Sequence, residues 1–204
     1  MAEDRELQHA PTPEFGTASE AELLATNRSA DSDTSADPDA SLAADVLPPP
    51  PTGWTDVLTG TDGPRYWDRV VTSEQARIRR HRRPSTVVLA EVVGLDALAR
   101  RWGHEVAERM FVKLARALAG EVRSSDYIAR IERTRLAIYL TETNEIAAIN
   151  FVERARASCE AQLGLARDDV RIGIGWASPP AKGDLSEAFE IATERLAADL
   201  ALPA

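Results

Sequence analysis

The sequence predicts an α+β fold in which one mainly antiparallel sheet is covered on its faces by helices, behind a disordered N-terminal tail. Three observations carry this. Residues Tyr127 to Leu140 form two apolar runs of period two around a polar centre, the pattern of two strands folded back as a hairpin with Glu132 to Arg135 at its tip. Thr86 to Val93 is a nearly continuous apolar run, as in a strand buried on both faces. Stretches with helical spacing separate these few strands, giving the order helix, strand, two helices, hairpin, helix, strand, helix.

The elements follow in turn. Residues 1–52 are rich in Ala, Ser, Thr, Asp, Glu and Pro, with little to bury. Such a segment does not offset its ordering entropy, and disorder is expected. Pro48 to Pro51 closes it as a stiff spacer, and Leu23 with Leu24 is its only candidate anchor for a partner. The globular part is expected over 53–204. Its first helix follows the turn Thr61-Asp62-Gly63-Pro64 and carries Tyr66, Trp67, Val70, Val71 and Ile78 on one stripe. It ends in Arg77, Arg79, Arg80, Arg82 and Arg83, a run of a kind that binds phosphates but read here first as a solvated basic face that suits a helix C-terminus.

After the buried strand come a short helix, Leu95 to Trp102, and a longer one opened by Gly103-His104, with Val106, Met110, Leu114 and Leu118 on its stripe. His104 reads as a local cap. Asn144 to Leu163 is the next helix, with Ile146, Ile149, Phe151 and Val152 expected on its inner side. Val170 to Ala177 is a strand whose glycines imply close backbone approach. The last helix opens with Asp184 and Glu187 at capping-box spacing and runs through Leu185, Phe189, Ala192, Leu196 and Leu200.

Composition narrows the function classes. The chain of 204 residues has a formal net charge of −9. Residues 1–52 hold 11 acids against Arg5 and Arg28, which leaves 22 residues of each sign in 53–204. A neutral folded part gives nucleic-acid binding no support. No apolar run approaches the roughly 20 residues of a membrane helix, and the N-terminus does not read as a signal peptide, so a soluble, cytoplasmic protein is expected. The single cysteine, Cys159, reads as a small apolar helix residue, and no His/Cys cluster has metal spacing. No cofactor is expected. Glu91 is the anomaly: a carboxylate in a buried strand needs a partner, a metal or an exposed strand end, and the nearby end of the strand favours the last.

Several segments in one order resemble the GGDEF domain, the diguanylate cyclase module of bacterial cyclic di-GMP signalling. Asp56-Val57-Leu58-Thr59-Gly60 is similar to its opening D-x-L-T-G, and Gly94 and Gly103-His104 fall where its D-G-F-K and G-H segments lie. Arg130-Ile131 precedes the tip as R-L precedes G-G-D-E-F, Ala137 to Leu140 follows as A-V-L-L does, and Val170 to Ala177 resembles its late strand. The resemblance covers about residues 54–200 and implies a GGDEF/nucleotide-cyclase-like (ferredoxin-like) fold.

The departures bear on activity. Glu132-Arg133-Thr134-Arg135-Leu136 stands in place of Gly-Gly-Asp-Glu-Phe. In the family the glycines admit a triphosphate and the acids bind Mg²⁺, which favours carboxylate and phosphate oxygens. Glu91 keeps the place of the strand aspartate and Glu108 that of an acid that reads guanine, but the companion Asn falls at Ala99 and the late phosphate lysine at Leu200. These losses imply a vestigial active site of Glu91, Glu108, Glu132, Arg133, Thr134 and Arg135, with no metal and no GTP chemistry. Arg123-Ser124-Ser125-Asp126 matches the family's R-x-x-D inhibitory site, so Arg123 and Asp126 are the candidate ligands for cyclic di-GMP. The same four residues also suit a simple turn.

The expectation is a non-catalytic signalling or interaction module that binds cyclic di-GMP. The alternative is a protein-interaction scaffold with no nucleotide ligand, its partner unidentified, and a homodimer is admissible. An active cyclase comes third.

Overall fold

The computed structural model describes residues 48–166, 168–180 and 184–202. The expectations for the tail before Pro48 lie outside them. Among the described residues nine α-helices and β-strands follow in the expected order, with a short 3-10 helix (Gly164–Ala166) directly after the seventh: α1 (Pro64–His81), β1 (Ser85–Val93), α2 (Leu95–Trp102), α3 (His104–Glu121), β2 (Tyr127–Arg130), β3 (Arg135–Thr141), α4 (Glu145–Leu163), β4 (Arg171–Ala177) and α5 (Leu185–Ala201). The strands form one antiparallel sheet in the order β2-β3-β1-β4.

The central place of β1 explains its unbroken apolar run. Val88, Ala90 and Val92 face a core shared with Phe111, Leu114 and Leu118 of α3 and with Phe151, Val152 and Ala155 of α4. Val87 and Leu89 face the other side, against Trp67 of α1 and Leu185, Ala188, Ala192 and Leu196 of α5. Trp67 meets Phe189 edge to face at 5.8 Å between ring centres. Both faces of β1 are thus sealed, which an alternating strand does not permit.

The glycines of β4 are where α5 comes closest. A Cβ on Gly175 would lie 2.1 Å from the Ala192 carbonyl oxygen and 2.3 Å from the Leu196 nitrogen, so any larger residue must push α5 off the sheet. Asp184 caps α5 as expected, its Oδ1 accepting from the Ser186 and Glu187 amides.

Two expectations are corrected. Ile146 and Ile149 of α4 face outward, 78% and 41% exposed, because the buried stripe runs through Ala148, Phe151, Val152, Ala155, Cys159 and Leu163. Small residues at helical spacing, Ala148, Ala155 and Cys159, let α4 lie close to the sheet, and the two isoleucines fall outside that arc. His104 makes no side-chain cap; Gly103 is the N-cap of α3.

The edge strand β4 is closed by side chains. Arg156 donates to the Ile172 carbonyl and Asp199 accepts from the Ile174 amide, while Arg156 and Asp199 pair at 2.9 Å. Arg195 donates to the Trp176 carbonyl and Glu145 accepts from the Ser178 amide, while Arg195 and Glu145 pair at 2.6 Å. Each ion pair supplies the donor and acceptor that another strand would bring, the usual defence of an exposed sheet edge.

Candidate functional site

The hairpin tip is built on a buried charge. Asp56 sits in a loop it organises itself: its Oδ2 accepts from the Thr59 amide at 2.9 Å and hydroxyl at 2.6 Å, and Gly60 takes the positive φ that closes the turn. Its Oδ1 accepts from Nη1 of Arg130 at 3.0 Å. The Arg130 side chain is 1% exposed and lies 4.9 Å above the ring of Phe111. Burial pulls its guanidinium below the usual arginine range, and the charge and hydrogen bond of Asp56 pull it back. Arg130 also donates to the Arg133 carbonyl from Nε and Nη2, which fixes the turn after β2.

The N-terminal prolines join this site. Nη2 of Arg130 donates to the Pro49 carbonyl at 2.6 Å, Nη1 of Arg133 reaches the Pro48 carbonyl at 3.4 Å, and Pro48 and Pro51 are buried. A run expected as a spacer is therefore a strap laid on the hairpin. The carbonyls of a proline run are free for this because an extended polyproline backbone makes no internal hydrogen bonds.

Glu91 does not use an open strand end. Register places it opposite Arg135 in β3, whose Nε and Nη2 both donate to its Oε2, at 3.1 and 2.6 Å. Nη1 of Arg135 goes to Glu132 at 2.9 Å. One guanidinium thus neutralises both remaining acids of the tip. Thr134 contributes its carbonyl, which accepts from the Val92 amide, and Glu108 faces the site from α3, where its charge acts on Arg130. The two positions given to metal carboxylates by the family resemblance hold a threonine and this paired arginine. Among the described residues no three His, Cys, Asp or Glu side chains come together. The tip does not fit Mg²⁺, which is held by one or two carboxylates beside phosphates and waters, because Glu91 and Glu132 are both engaged by the Arg135 guanidinium.

Arg123 and Asp126 lie at the opposite end of the sheet. Asp126 is turned partly inward: its Oδ1 accepts from the Thr141 amide at 3.0 Å and hydroxyl at 2.9 Å, and so ties the β2 turn to the end of β3. Arg123 is exposed and makes no side-chain hydrogen bond among the described residues. The seven residues of β3 separate this end from the tip, roughly 20 Å at ~3.4 Å per residue.

The Asp56–Arg130 pair escaped the sequence reading, which used both residues only as motif letters. Its partners are 74 positions apart, and the signal was an arginine in a short apolar strand, which needs a buried acid. Cys159 lies on a helix, as read, and is buried there, which pushes its thiol up to about 12.

Comparison with known proteins adds the family. A family model described as "Diguanylate cyclase, GGDEF domain" matches residues 53–199. The diguanylate cyclase DosC of Escherichia coli (strain K12) is 29% identical over 145 residues, 69% of this chain and 32% of that protein. The probable diguanylate cyclase DgcC of the same strain is 29% identical over 99 residues, 48% of this chain and 27% of that protein. The matches thus span about a third or less of these relatives. Among solved structures, the diguanylate cyclase SiaD of Pseudomonas aeruginosa, in complex with its activator SiaC, superposes with a TM-score of 0.63 at 22% identity, over 79% of this chain and 62% of that one. The GGDEF domain of DgcB from Caulobacter crescentus, in complex with cyclic di-GMP, gives 0.63 at 13% identity, over 71% and 86%. These likenesses show the GGDEF fold, and no helix among the described residues is long and apolar enough to cross a membrane. With the family model matching most of its length, the chain belongs to the GGDEF domain family.

Proposed function

We propose that this protein is a non-catalytic GGDEF module of cyclic di-GMP signalling. The observation that carries the reading is the Arg135–Glu91 pair at 2.6 Å. Phosphoryl transfer depends on cations that neutralise phosphate charge, and here a fixed guanidinium takes the carboxylate that would hold one. Glu132 and Arg133 also place side chains where a triphosphate would need bare backbone.

Within that reading, cyclic di-GMP is the ligand and Arg123 its anchor. Relatives of the fold bind it, DgcB among them. An exposed arginine without a partner can fork onto a phosphate or the guanine edge. Asp126 contributes with its second oxygen, because Oδ1 is committed to Thr141. A scaffold that binds only protein is the second reading, favoured by this structural use of Asp126; SiaD with its activator is an example of a GGDEF protein held by a protein partner.

Titration calorimetry with cyclic di-GMP separates the two. The receptor reading expects a micromolar isotherm that Arg123→Ala abolishes without moving the melting curve. No heat at high ligand leaves the scaffold, and unchanged binding in Arg123→Ala removes this site.

A further inference from the structure

The edge of the sheet at β4 carries an apolar groove that the GGDEF reading does not use. It runs between the first turns of α4 and the last turns of α5, with a volume of about 590 Å³. Ile174 and Trp176 of β4 lie beneath it, Ile146 and Ile149 line it from α4, and Ala198 and Leu202 line it from the α5 side. Six large apolar side chains stand exposed among the described residues, and Ile146, Ile149 and Leu202 are three of them. A single exposed isoleucine is ordinary, whereas three around one hollow mark a contact surface.

Strand addition is closed to any partner here. Arg156 and Arg195 donate to β4 carbonyls and Asp199 accepts from the Ile174 amide, while Glu145 holds the Ser178 amide just beyond the strand. What docks in this groove therefore does so through side chains.

The charges around the groove select the occupant. α4 carries an acid and then a base, Glu145 and Arg156, and α5 carries a base and then an acid, Arg195 and Asp199. Glu145 pairs with Arg195 and Arg156 with Asp199, so the signs alternate around the rim. A partner of one charge sign meets repulsion at two of these four corners. A second copy of the chain, related by a two-fold axis in the plane of contact, meets none. With the axis along the groove, the partner's Glu145 lies over Arg195 and the partner's Arg156 over Asp199. With the axis across it, the partner's Arg156 lies over Glu145 and the partner's Asp199 over Arg195. Every corner finds the opposite sign in both cases. The patch also holds both halves of a fit, because Ile146, 78% exposed, projects from the lip of a hollow that can receive it.

We propose that this groove is the interface of a two-fold homodimer, with Ile146 of each copy seated in the groove of the other. Three exposed side chains cover less than the roughly 800 Å² per partner of a standard interface, so the dimer is weak and forms with rising concentration. β4 lies at the opposite edge of the sheet from β2, so the hairpin and Arg123 both stay open in it. The interface stands whether or not cyclic di-GMP binds at Arg123.

Sedimentation velocity of the full, ligand-free chain over a concentration series tests it, at physiological ionic strength so that the acidic residues 1–52 of two copies are screened from each other. A reversible monomer–dimer equilibrium with no larger species is expected. Ile146→Asp should raise the dissociation constant at least tenfold with an unchanged melting curve, because the side chain is exposed and an acid suits the first turn of a helix. Val57→Asp, at a position 98% exposed and outside the groove, should associate as the unaltered chain does. A chain that stays monomeric up to its solubility limit overturns the proposal. So does association that survives Ile146→Asp, that Val57→Asp weakens equally, or that continues past the dimer.

Discussion

The two ends of the sheet carry similar residues and treat them in opposite ways. At the hairpin tip, arginines are spent inside the protein: Arg130 on Asp56 and the Pro49 carbonyl, Arg135 on Glu91 and Glu132. At the far end, Arg79, Arg82 and Arg123 point at solvent with no ion pair among the described residues. Charge that is buried and paired holds a shape, and charge that is exposed and unpaired is available to a ligand. The difference sets charge used structurally at the tip against charge left exposed at the opposite end, which is the contrast the proposed function rests on.

The strongest way to break this comparison is to remove the acid beneath the tip. Asp56→Ala leaves Arg130 buried and uncompensated, and a loss of about 3–5 kcal/mol is expected in chemical denaturation. A loss below about 1 kcal/mol would mean that Arg130 finds water and that the pair is not the keystone of the tip. A smaller effect is expected from Arg135→Ala, which strands the half-buried Glu91 and costs about 1–2 kcal/mol. The Arg135–Glu132 contact adds almost nothing to that, because Glu132 is exposed.

Much of this architecture was legible in the sequence. The period-two runs around Glu132 to Arg135 fixed the hairpin, and the unbroken apolar run of β1 implied a strand sealed on both faces, as Val87 and Val88 show on opposite sides. What periodicity could not give were pairings set by the third dimension. Glu91 meets Arg135 only because β1 and β3 are adjacent and in one register. Asp56 meets Arg130 only because the loop before α1 folds under the hairpin. On α4 Phe151 and Val152 are buried as expected, but the other two bulky residues chosen, Ile146 and Ile149, are exposed, and packing selected the small Ala148, Ala155 and Cys159 instead.

Between the two ends, the edge of β4 sharpens the same contrast, because its ion pairs are spent on backbone groups. The double variant Asp199→Ala, Arg195→Ala should cost under about 1 kcal/mol, yet open the edge to strand pairing. Sedimentation velocity should then show concentration-dependent association where the unaltered chain shows less. Equal behaviour would mean that these side chains do not guard the edge. The smallest effect belongs to the exposed arginines: Arg79→Ala and Arg123→Ala should each change stability by no more than about 0.5 kcal/mol. A larger loss would show them to be structural and would erase the distinction between the ends.

The most direct measurement is turnover. The purified chain is incubated with GTP and Mg²⁺ or Mn²⁺, and cyclic di-GMP is sought by chromatography, with Glu91→Gln as companion. The account predicts no product above a protein-free control under either metal. Cyclic di-GMP formed by the unaltered chain and lost in Glu91→Gln would contradict it, because the carboxylate held by Arg135 would then be serving a metal.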